Sequence, residues 1–268
     1  MLTDKQFQHY RTFGFVVMRD FFTPQEVETL RAEYEEELDR VYAHAPFTGE
    51  KRYWTTMLHP RTPLYSSLLE DERFCSVAEQ LYGDDVIGIA TDANRYVGDT
   101  RWHPDHRADP DEDCYGVKFA FYLDPVGADS GALRVIPGSH NRAFHDQIRD
   151  SLESLELGVA GVPAYVCASN PGDVVAFEMR CWHASHGGGR RMSTCVYYNN
   201  PRGAVEEAAT RKRADKARQS PAQYGREGQP MYPAEWLANP GGSPKRQRWL
   251  NRMAELGYFE LPAAGSAA

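Results

Sequence analysis

The chain has 268 residues, and 41% of them are hydrophobic, which is enough for a substantial core. It carries 30 Lys and Arg against 38 Asp and Glu, and the net charge of −8 argues against nucleic-acid binding, which needs a basic surface. The five cysteines are odd in number and none of them forms a CxxC pair, so neither a disulfide framework nor a zinc knuckle is expected.

The first 83 residues predict a helical region. Thr3 and Thr23 are N-cap residues, and Gln6 and Glu26, three positions later, complete a capping box in each case. Gly14 is placed to end the first helix. The predicted elements are a helix from Thr3, a short strand at 15–18, a helix from Thr23 to about Val41, a loop over 47–64 and a helix over 68–82.

From residue 86 onwards the pattern is that of a β protein. Short apolar or alternating runs are separated by Gly, Pro, Asp and Asn turns, which is typical of a barrel or sandwich. The predicted strands are 86–90, 116–123, 132–136, 174–177 and 193–198. After Pro201 the chain is charged and helix-prone, and residues 263–268 form a small-residue tail that we expect to be disordered. We therefore expect one domain over 1–268, with an N-terminal helical region (1–83), a β core (84–201) and a C-terminal helical extension (202–268).

Two histidine motifs point to a metal site. His103 and Asp105 lie two residues apart, and on a strand such side chains face the same side. His183 follows Trp182 about eighty residues later, after a predicted strand. Two histidines and one carboxylate form the facial triad of non-haem iron(II) oxygenases, which leaves positions open for a bidentate keto acid and O2.

A pair of arginines follows the second histidine. Arg190 and Arg191 lie seven and eight residues beyond His183. A planar guanidinium matches the far carboxylate of 2-oxoglutarate with two parallel hydrogen bonds. By itself the pair is typical of a solvated turn, but the order His-x-Asp, strands, His and Arg within a β-rich segment is far more specific.

Over about residues 1–200 the sequence resembles the phytanoyl-CoA dioxygenase family of iron(II)/2-oxoglutarate oxygenases. The stretches that carry the resemblance are 14–17, 22–27, 122–126, 130–140, 171–177 and 182–185. It implies a mainly β fold with flanking helices around a double-stranded β-helix (jelly-roll, cupin-like) core. It also implies Fe(II) held by His103, Asp105 and His183, with 2-oxoglutarate and O2 as co-substrates. His186 is the rival second histidine, and His140 is a turn residue in the family.

The loop after His183 is shorter and richer in glycine than the family pattern. Either arginine can therefore bind the keto acid, and strand alternation separates the two cases. If Arg191 points into the pocket, so do Ser193, Cys195 and Tyr197; if Arg190 does, Met192 and Val196 follow it. The first pattern is closer to the family, so Arg191 is favoured. The resemblance adds Asn94 and Ser185 as further contacts to 2-oxoglutarate.

The resemblance implies hydroxylation of an unactivated C–H of a small molecule, with release of succinate and CO2. Because Asp105 is present, halogenation is not expected, whereas desaturation, epoxidation and ring formation stay open as alternatives to hydroxylation because they share the same oxidising intermediate. Candidate substrate contacts are Trp102, Arg107, Lys118 and Tyr53, with Arg101, Trp54 and His59 as weaker ones. The basic run Arg211 to Arg218 is expected to be a solvated helix face. A cupin-like isomerase or binding protein without redox chemistry is the alternative.

The sequence also suggests where the protein acts. No apolar run approaches the roughly 20 residues that cross a bilayer, and the N-terminus has no signal-peptide core. We expect a cytoplasmic monomer or homodimer whose partner is a small molecule and neither a nucleic acid nor a membrane.

Overall fold

The structure is a computed structural model that describes residues 1–106, 115–155 and 157–260. Its helices are α1 (Asp4–Phe13), α2 (Pro24–Val41), α3 (Pro63–Ser67), α4 (Glu72–Tyr82), α5 (Arg142–Leu155), α6 (Gly203–Gln223), α7 (Ala234–Leu237) and α8 (Pro244–Glu255). Short 3-10 turns lie at Leu68–Glu70 and Val159–Gly161. The predicted disordered tail lies outside the described residues.

The strands are β1 (Phe15–Met18), β2 (Tyr53–Thr56), β3 (Ile87–Tyr96), β4 (Thr100–His103), β5 (Gly116–Tyr122), β6 (Leu133–Val135), β7 (Tyr165–Cys167), β8 (Val174–Glu178), β9 (His183–Ser185) and β10 (Arg190–Tyr198). They form a six-stranded sheet in the order β1-β8-β5-β10-β3-β2 and a four-stranded sheet in the order β4-β9-β6-β7. All pairings are antiparallel. From β3 to β10 the chain passes between the two sheets in the manner of a jelly roll, and β1 and β2 widen the larger sheet at its two edges.

Helices account for more of the molecule than the sequence suggested. About 40% of the described residues are helical and 22% are in strands, so "mainly β" is not exact, although two antiparallel sheets with flanking helices are present. Most of the helix lies in α2, α4, α6 and α8, outside the segment from β3 to β10, and α5 adds a helix inside the predicted β core, where none was expected. Among the described helices, none is long and apolar enough to cross a membrane.

At the N-terminus the helix caps and β1 are confirmed, but the predicted loop over 47–64 is wrong, because it contains β2 and the beginning of α3. Both capping boxes form, with the Thr3 and Thr23 hydroxyls accepting from the backbone N–H of Gln6 and Glu26. Gly14 ends α1 with a φ of 82°, a left-handed conformation that glycine adopts without strain. The helix predicted over 68–82 is instead a 3-10 turn and α4, because Asp71 caps the N-terminus of α4.

Large side chains on the outer face of the larger sheet pack against the helices. Leu30 of α2, Phe74 of α4 and Trp249 of α8 belong to one apolar core with Phe119 of β5 and Tyr197 of β10. This core places helices from both ends of the chain on one side of the larger sheet. The opposite side faces the smaller sheet, and a cavity lies between them. The four cysteines within the described ranges are buried and free.

Candidate active site

The three predicted metal ligands meet at the edge of the smaller sheet. His103 ends β4 and His183 begins β9, and the two residues are direct partners in the antiparallel pairing. Asp105 lies just beyond the end of β4, so it does not share a strand with His103 as the sequence suggested. Its Oδ2 is nevertheless 3.7 Å from His183 Nε2. One potential ligand atom of each residue lies within 4.8 Å of the other two, which suits a single cation.

Both imidazoles are oriented by the backbone. Nδ1 of His103 donates to the Arg101 carbonyl at 2.7 Å, and Nδ1 of His183 donates to the Cys181 carbonyl at 2.9 Å. A carbonyl only accepts, so Nδ1 carries the proton and the lone pair of Nε2 is left for a metal. Burial lowers the pKa of His183 to about 4, which keeps this imidazole neutral at neutral pH.

Lys118 of β5 contacts the ligand carboxylate. Its Nζ lies 2.6 Å from Asp105 Oδ2. Burial favours the neutral form of Asp105, but Lys118 and the two histidines outweigh it and hold the pKa of this carboxyl well below its usual range. The Asp105 carboxyl is thus ionised at neutral pH. Burial likewise opposes the charged form of Lys118, and Asp105 more than compensates, so the pKa of the lysine is raised.

The assignment of the pocket arginine has to be reversed. Arg190 lines the cavity and is only 5% exposed, whereas Arg191 points to the other side of β10 and forms ion pairs with Asp124 and Glu35. The prediction that Arg191 faces the pocket is therefore wrong. Arg190 donates to the hydroxyls of Ser185 and Thr100 and, at 3.1 Å, to the Gly98 carbonyl.

The residues after Arg190 explain the error. Met192, Thr194 and Val196 line the cavity with it. The small and polar residues expected there are buried on the opposite face, where partners satisfy them. Ser193 Oγ lies 2.7 Å from the Tyr65 hydroxyl, and the Tyr197 hydroxyl donates to the Leu69 carbonyl at 2.6 Å. Polarity alone therefore does not identify the cavity face of this strand.

The other predicted contacts divide into two groups. Ser185, Lys118 and Trp54 line the cavity. Five others lie outside its lining. Asn94 is buried and hydrogen-bonded to Arg52 and Asp92, and Tyr53 stacks on Tyr42. Trp102 packs near Trp182, His59 lies near Glu37, and Arg101 is exposed. Arg107 falls outside the described residues.

The rival histidines do not approach the triad. Nδ1 of His186 lies 3.2 Å from an Asp99 carboxylate oxygen in a partly exposed position. His140 lies near Cys181 and the Arg11 carbonyl, beside Gly14. Neither belongs to the cavity lining. The geometry thus favours His183 as the second imidazole ligand.

The cavity has a volume of about 1090 Å³ and includes residues that sequence reasoning missed. Arg52 and Tyr96 line it from the large-sheet side, and Lys212, Arg213 and Lys216 line it from α6. Arg211, Lys212, Lys216 and Arg218 are exposed, as predicted for a solvated face, but part of this face also borders the cavity. The sequence did contain a sign that these residues act together, because residues 212, 216 and 220 share one face of a helix. The sequence does not show, however, that this face covers the cavity.

Comparison with known proteins identifies the family. The family model described as Phytanoyl-CoA dioxygenase (PhyH) matches residues 10–193, more than half of the chain. Ectoine dioxygenase from Bordetella bronchiseptica is 24% identical over 220 residues, covering 69% of this chain and 70% of the relative. Dioxygenase FrzG from Cladobotryum sp. is 26% identical over 222 residues, covering 68% and 67%.

Solved structures share the fold. HygX from Streptomyces hygroscopicus, crystallised with nickel and 2-oxoglutarate bound, has a TM-score of 0.63 at 20% identity and covers 74% of this chain and 88% of its own. EctD from S. alaskensis, with 2-oxoglutarate and 5-hydroxyectoine, has a TM-score of 0.57 at 20% identity and covers 74% and 77%. At such identities the similarity shows a common fold.

Proposed function

Because the chain belongs to the phytanoyl-CoA dioxygenase family, we propose that it is an Fe(II)- and 2-oxoglutarate-dependent dioxygenase. The reaction we assign is hydroxylation of an unactivated C–H of a small molecule, with release of succinate and CO2. One observation carries this proposal: a set of two histidines and one carboxylate within 4.8 Å, in the same cavity as a buried arginine, Arg190, that forms no ion pair with a carboxylate among the described residues.

The donor set fits Fe(II). His103, Asp105 and His183 supply two imidazole nitrogens and one carboxylate oxygen, the combination found in non-haem Fe(II) oxygenases. The Nδ1 hydrogen bonds of both histidines direct Nε2 to the metal. This arrangement uses three protein ligands, so positions remain for a bidentate co-substrate and O2.

Arg190 fits the far carboxylate of 2-oxoglutarate. Its described hydrogen-bond partners are one carbonyl and two hydroxyls, all neutral. A buried cation without an anion is unfavourable, and burial accordingly lowers the pKa of Arg190. A dicarboxylate would compensate this charge through the planar guanidinium. Ser185 Oγ, already bonded to Arg190, is positioned to hold the same carboxylate.

When bound, iron and 2-oxoglutarate supply the oxidation chemistry, and the chain determines where it acts. Apolar side chains of Ala120, Leu133 and Phe177 line the cavity with the triad. They would exclude water from the metal and leave the substrate C–H as the group within reach. Asp105 occupies the carboxylate position of the donor set, which favours hydroxylation over halogenation.

The direct test is succinate formation from 2-oxoglutarate with Fe(II), ascorbate and air. We expect slow succinate release without a primary substrate, faster release with one, and none after metal chelation. His103→Ala should abolish succinate release and stoichiometric Fe(II) binding while the protein stays folded. Metal binding without any succinate, with or without candidate substrates, would favour the non-redox cupin-like alternative.

A further inference from the structure

We propose that Arg52 forms a second anion site in the cavity and that it binds a carboxylate of the primary substrate, whose body is apolar. The inference rests on the proposed function, because it takes Arg190 as the residue that holds 2-oxoglutarate. Arg52 lies directly before β2 and lines the same cavity as the triad.

The Arg52 guanidinium is held in one orientation. Its carbon lies 4.0 Å from the ring centroid of Tyr96 and 5.0 Å from that of Tyr224. Nε donates to Asn94 Oδ1 at 3.0 Å, and Nη2 donates to the same oxygen. Asn94 is fixed in turn by donating to Asp92 Oδ1 at 2.9 Å. The buried Asn94 thus has a clear role as the residue that orients Arg52.

One edge of this guanidinium is available to a ligand. A guanidinium has five N–H donors, and Asn94 accepts from the Nε/Nη2 edge alone. Within the described ranges, no carboxylate forms an ion pair with Arg52. The Nη1/Nη2 edge has the planar geometry that a carboxylate accepts with two parallel hydrogen bonds.

Arg52 is distinct from the co-substrate arginine but close to it. The Arg190 guanidinium carbon lies 4.1 Å from the ring centroid of Tyr96, the ring that Arg52 also contacts. Two guanidinium charges around one phenol repel each other, and the Arg52 charge contributes to the lowered pKa of Arg190. A single carboxylate at Arg190 would leave the second charge uncompensated.

With Fe(II) and 2-oxoglutarate bound, the site would still carry an excess of positive charge that an anionic substrate would compensate. Formally, Fe(II) and 2-oxoglutarate cancel, as do Lys118 and Asp105, which are paired at 2.6 Å. The positive charges of Arg190 and Arg52 then remain against the negative charge of Asp92, and Lys212, Arg213 and Lys216 of α6 add three positive charges against Asp215. The Asp92 carboxylate is already bonded to donors of Trp54, Asn94 and Thr194. The cavity lining therefore keeps an excess of positive charge in a chain of net charge −8, which favours an anionic substrate, and the planar edge of Arg52 matches a carboxylate.

The remaining wall indicates the rest of the substrate. Ile89, Met192 and Val196 line the same cavity as Arg52, together with the aromatic rings of Trp54 and Tyr224. The volume of about 1090 Å³ far exceeds what 2-oxoglutarate alone occupies. A carboxylic acid with an alkyl or aryl body matches both the charge and the lining.

The experiment measures binding to protein loaded with Mn(II) and 2-oxoglutarate. The probes are octanoate, 4-phenylbutyrate and indole-3-acetate, each paired with its primary amide. In wild type we expect at least one acid to bind about 10-fold more tightly than its amide, since a hydrogen bond to a charged group is stronger than one between neutral groups. The preference should disappear in Arg52→Gln and be reduced in Arg52→Lys, which keeps the charge but loses the planar fork.

Arg149→Gln is the matched control, because it removes one positive charge on α5, where Arg149 pairs with Asp146 and Asp150. It should keep the acid preference. No preference for any acid in wild type, or a preference that survives Arg52→Gln, would overturn the assignment. Tighter binding of phenyl phosphate than of every acid would overturn the choice of carboxylate.

Titration with 2-oxoglutarate separates this inference from the proposed function. We expect Arg52→Gln to retain 2-oxoglutarate binding and Arg190→Gln to lose it. If wild type fails to bind 2-oxoglutarate, the proposed function fails. If Arg52→Gln loses 2-oxoglutarate binding, Arg52 belongs to the co-substrate site and the second anion site is refuted.

Discussion

Lys118 donates to the same carboxylate that we assign to the metal. The 2.6 Å contact neutralises Asp105 in the metal-free protein and places a positive charge beside the cation site. At this proximity the repulsion between the ammonium and a metal ion is on the order of several kcal/mol before screening. Lys118 is therefore expected to moderate metal affinity as well as to orient the carboxylate.

Replacing Lys118 tests which effect is larger. We expect Lys118→Met to bind Mn(II) about 10-fold more tightly, because the competing charge is gone. Lys118→Arg, which keeps the charge, should bind Mn(II) as wild type does. Titration followed by electron paramagnetic resonance measures both variants. A weaker Mn(II) affinity in Lys118→Met would show that orientation of Asp105 outweighs repulsion.

At the scale of the element, β10 separates two functions on its two faces. Arg190, Met192, Thr194 and Val196 face the cavity, and the alternate residues face the helices. Because the side-chain period of a strand is two, an error of one residue exchanges the two sets completely. The sequence predicted the strand itself, but not which of its faces lines the cavity, since helices far away in the chain cover the other face.

Ser193 allows this division to be tested. Its hydroxyl is fully buried and partners the Tyr65 hydroxyl at 2.7 Å. Ser193→Ala leaves the Tyr65 hydroxyl buried without that partner, so we expect a loss of about 1–3 kcal/mol in the free energy of unfolding. The affinity for 2-oxoglutarate should not change. Urea denaturation and calorimetric titration give the two quantities, and a changed affinity at unchanged stability would contradict the assignment of faces.

Helix α6 shows a second limit of sequence reasoning. Its charged composition predicted a helix correctly, and its basic residues matched a solvated face. Lys212, Arg213 and Lys216 line the cavity because α6 packs beside it, a placement set by tertiary packing. Local composition carries no information about such a placement. The metal triad was predictable because its spacing and chemistry are local to two short motifs.

At the scale of the whole molecule, the region around His59 links stability to pH. The imidazole is largely buried, and both ring nitrogens lack a hydrogen-bond partner within the described ranges. Burial, followed by the charge of Arg61, lowers the pKa of His59 to about 4. The unfolded chain thus binds a proton below about pH 6.5 that the folded protein does not bind until about pH 4. Stability therefore falls as the pH decreases through this window and is unaffected above it.

His59→Gln should remove this contribution. We expect the free energy of unfolding to decline less steeply from about pH 7.5 to about pH 5 than in wild type. Glu37, 3.6 Å from His59, does not interfere in this range. Burial raises the pKa of Glu37, but Arg61 and Arg40 outweigh it and lower the pKa to about 2, so its own effect begins below the ordinary carboxyl pKa. An unchanged slope in urea denaturation would show that other groups control the acid sensitivity.

The division of the chain into three regions stays a prediction, although one apolar core contains residues from all three. The family, the sheet architecture and the residues of the candidate metal triad could be predicted from short motifs in a fixed order. Helix content and the roles of Arg52, Arg190 and α6 could not, because they depend on which surfaces meet after the two sheets and their helices have packed.

The affinity of the Fe(II)-loaded protein for 2-oxoglutarate, measured without oxygen, tests the central claim most directly. We expect Arg190→Gln to weaken binding by about 100-fold, because a charged, paired hydrogen-bond contact is lost. Arg191→Gln removes the neighbouring charge from its ion pairs with Asp124 and Glu35 and should leave the affinity unchanged. The opposite pattern, or a wild-type protein that does not bind 2-oxoglutarate, would contradict the account.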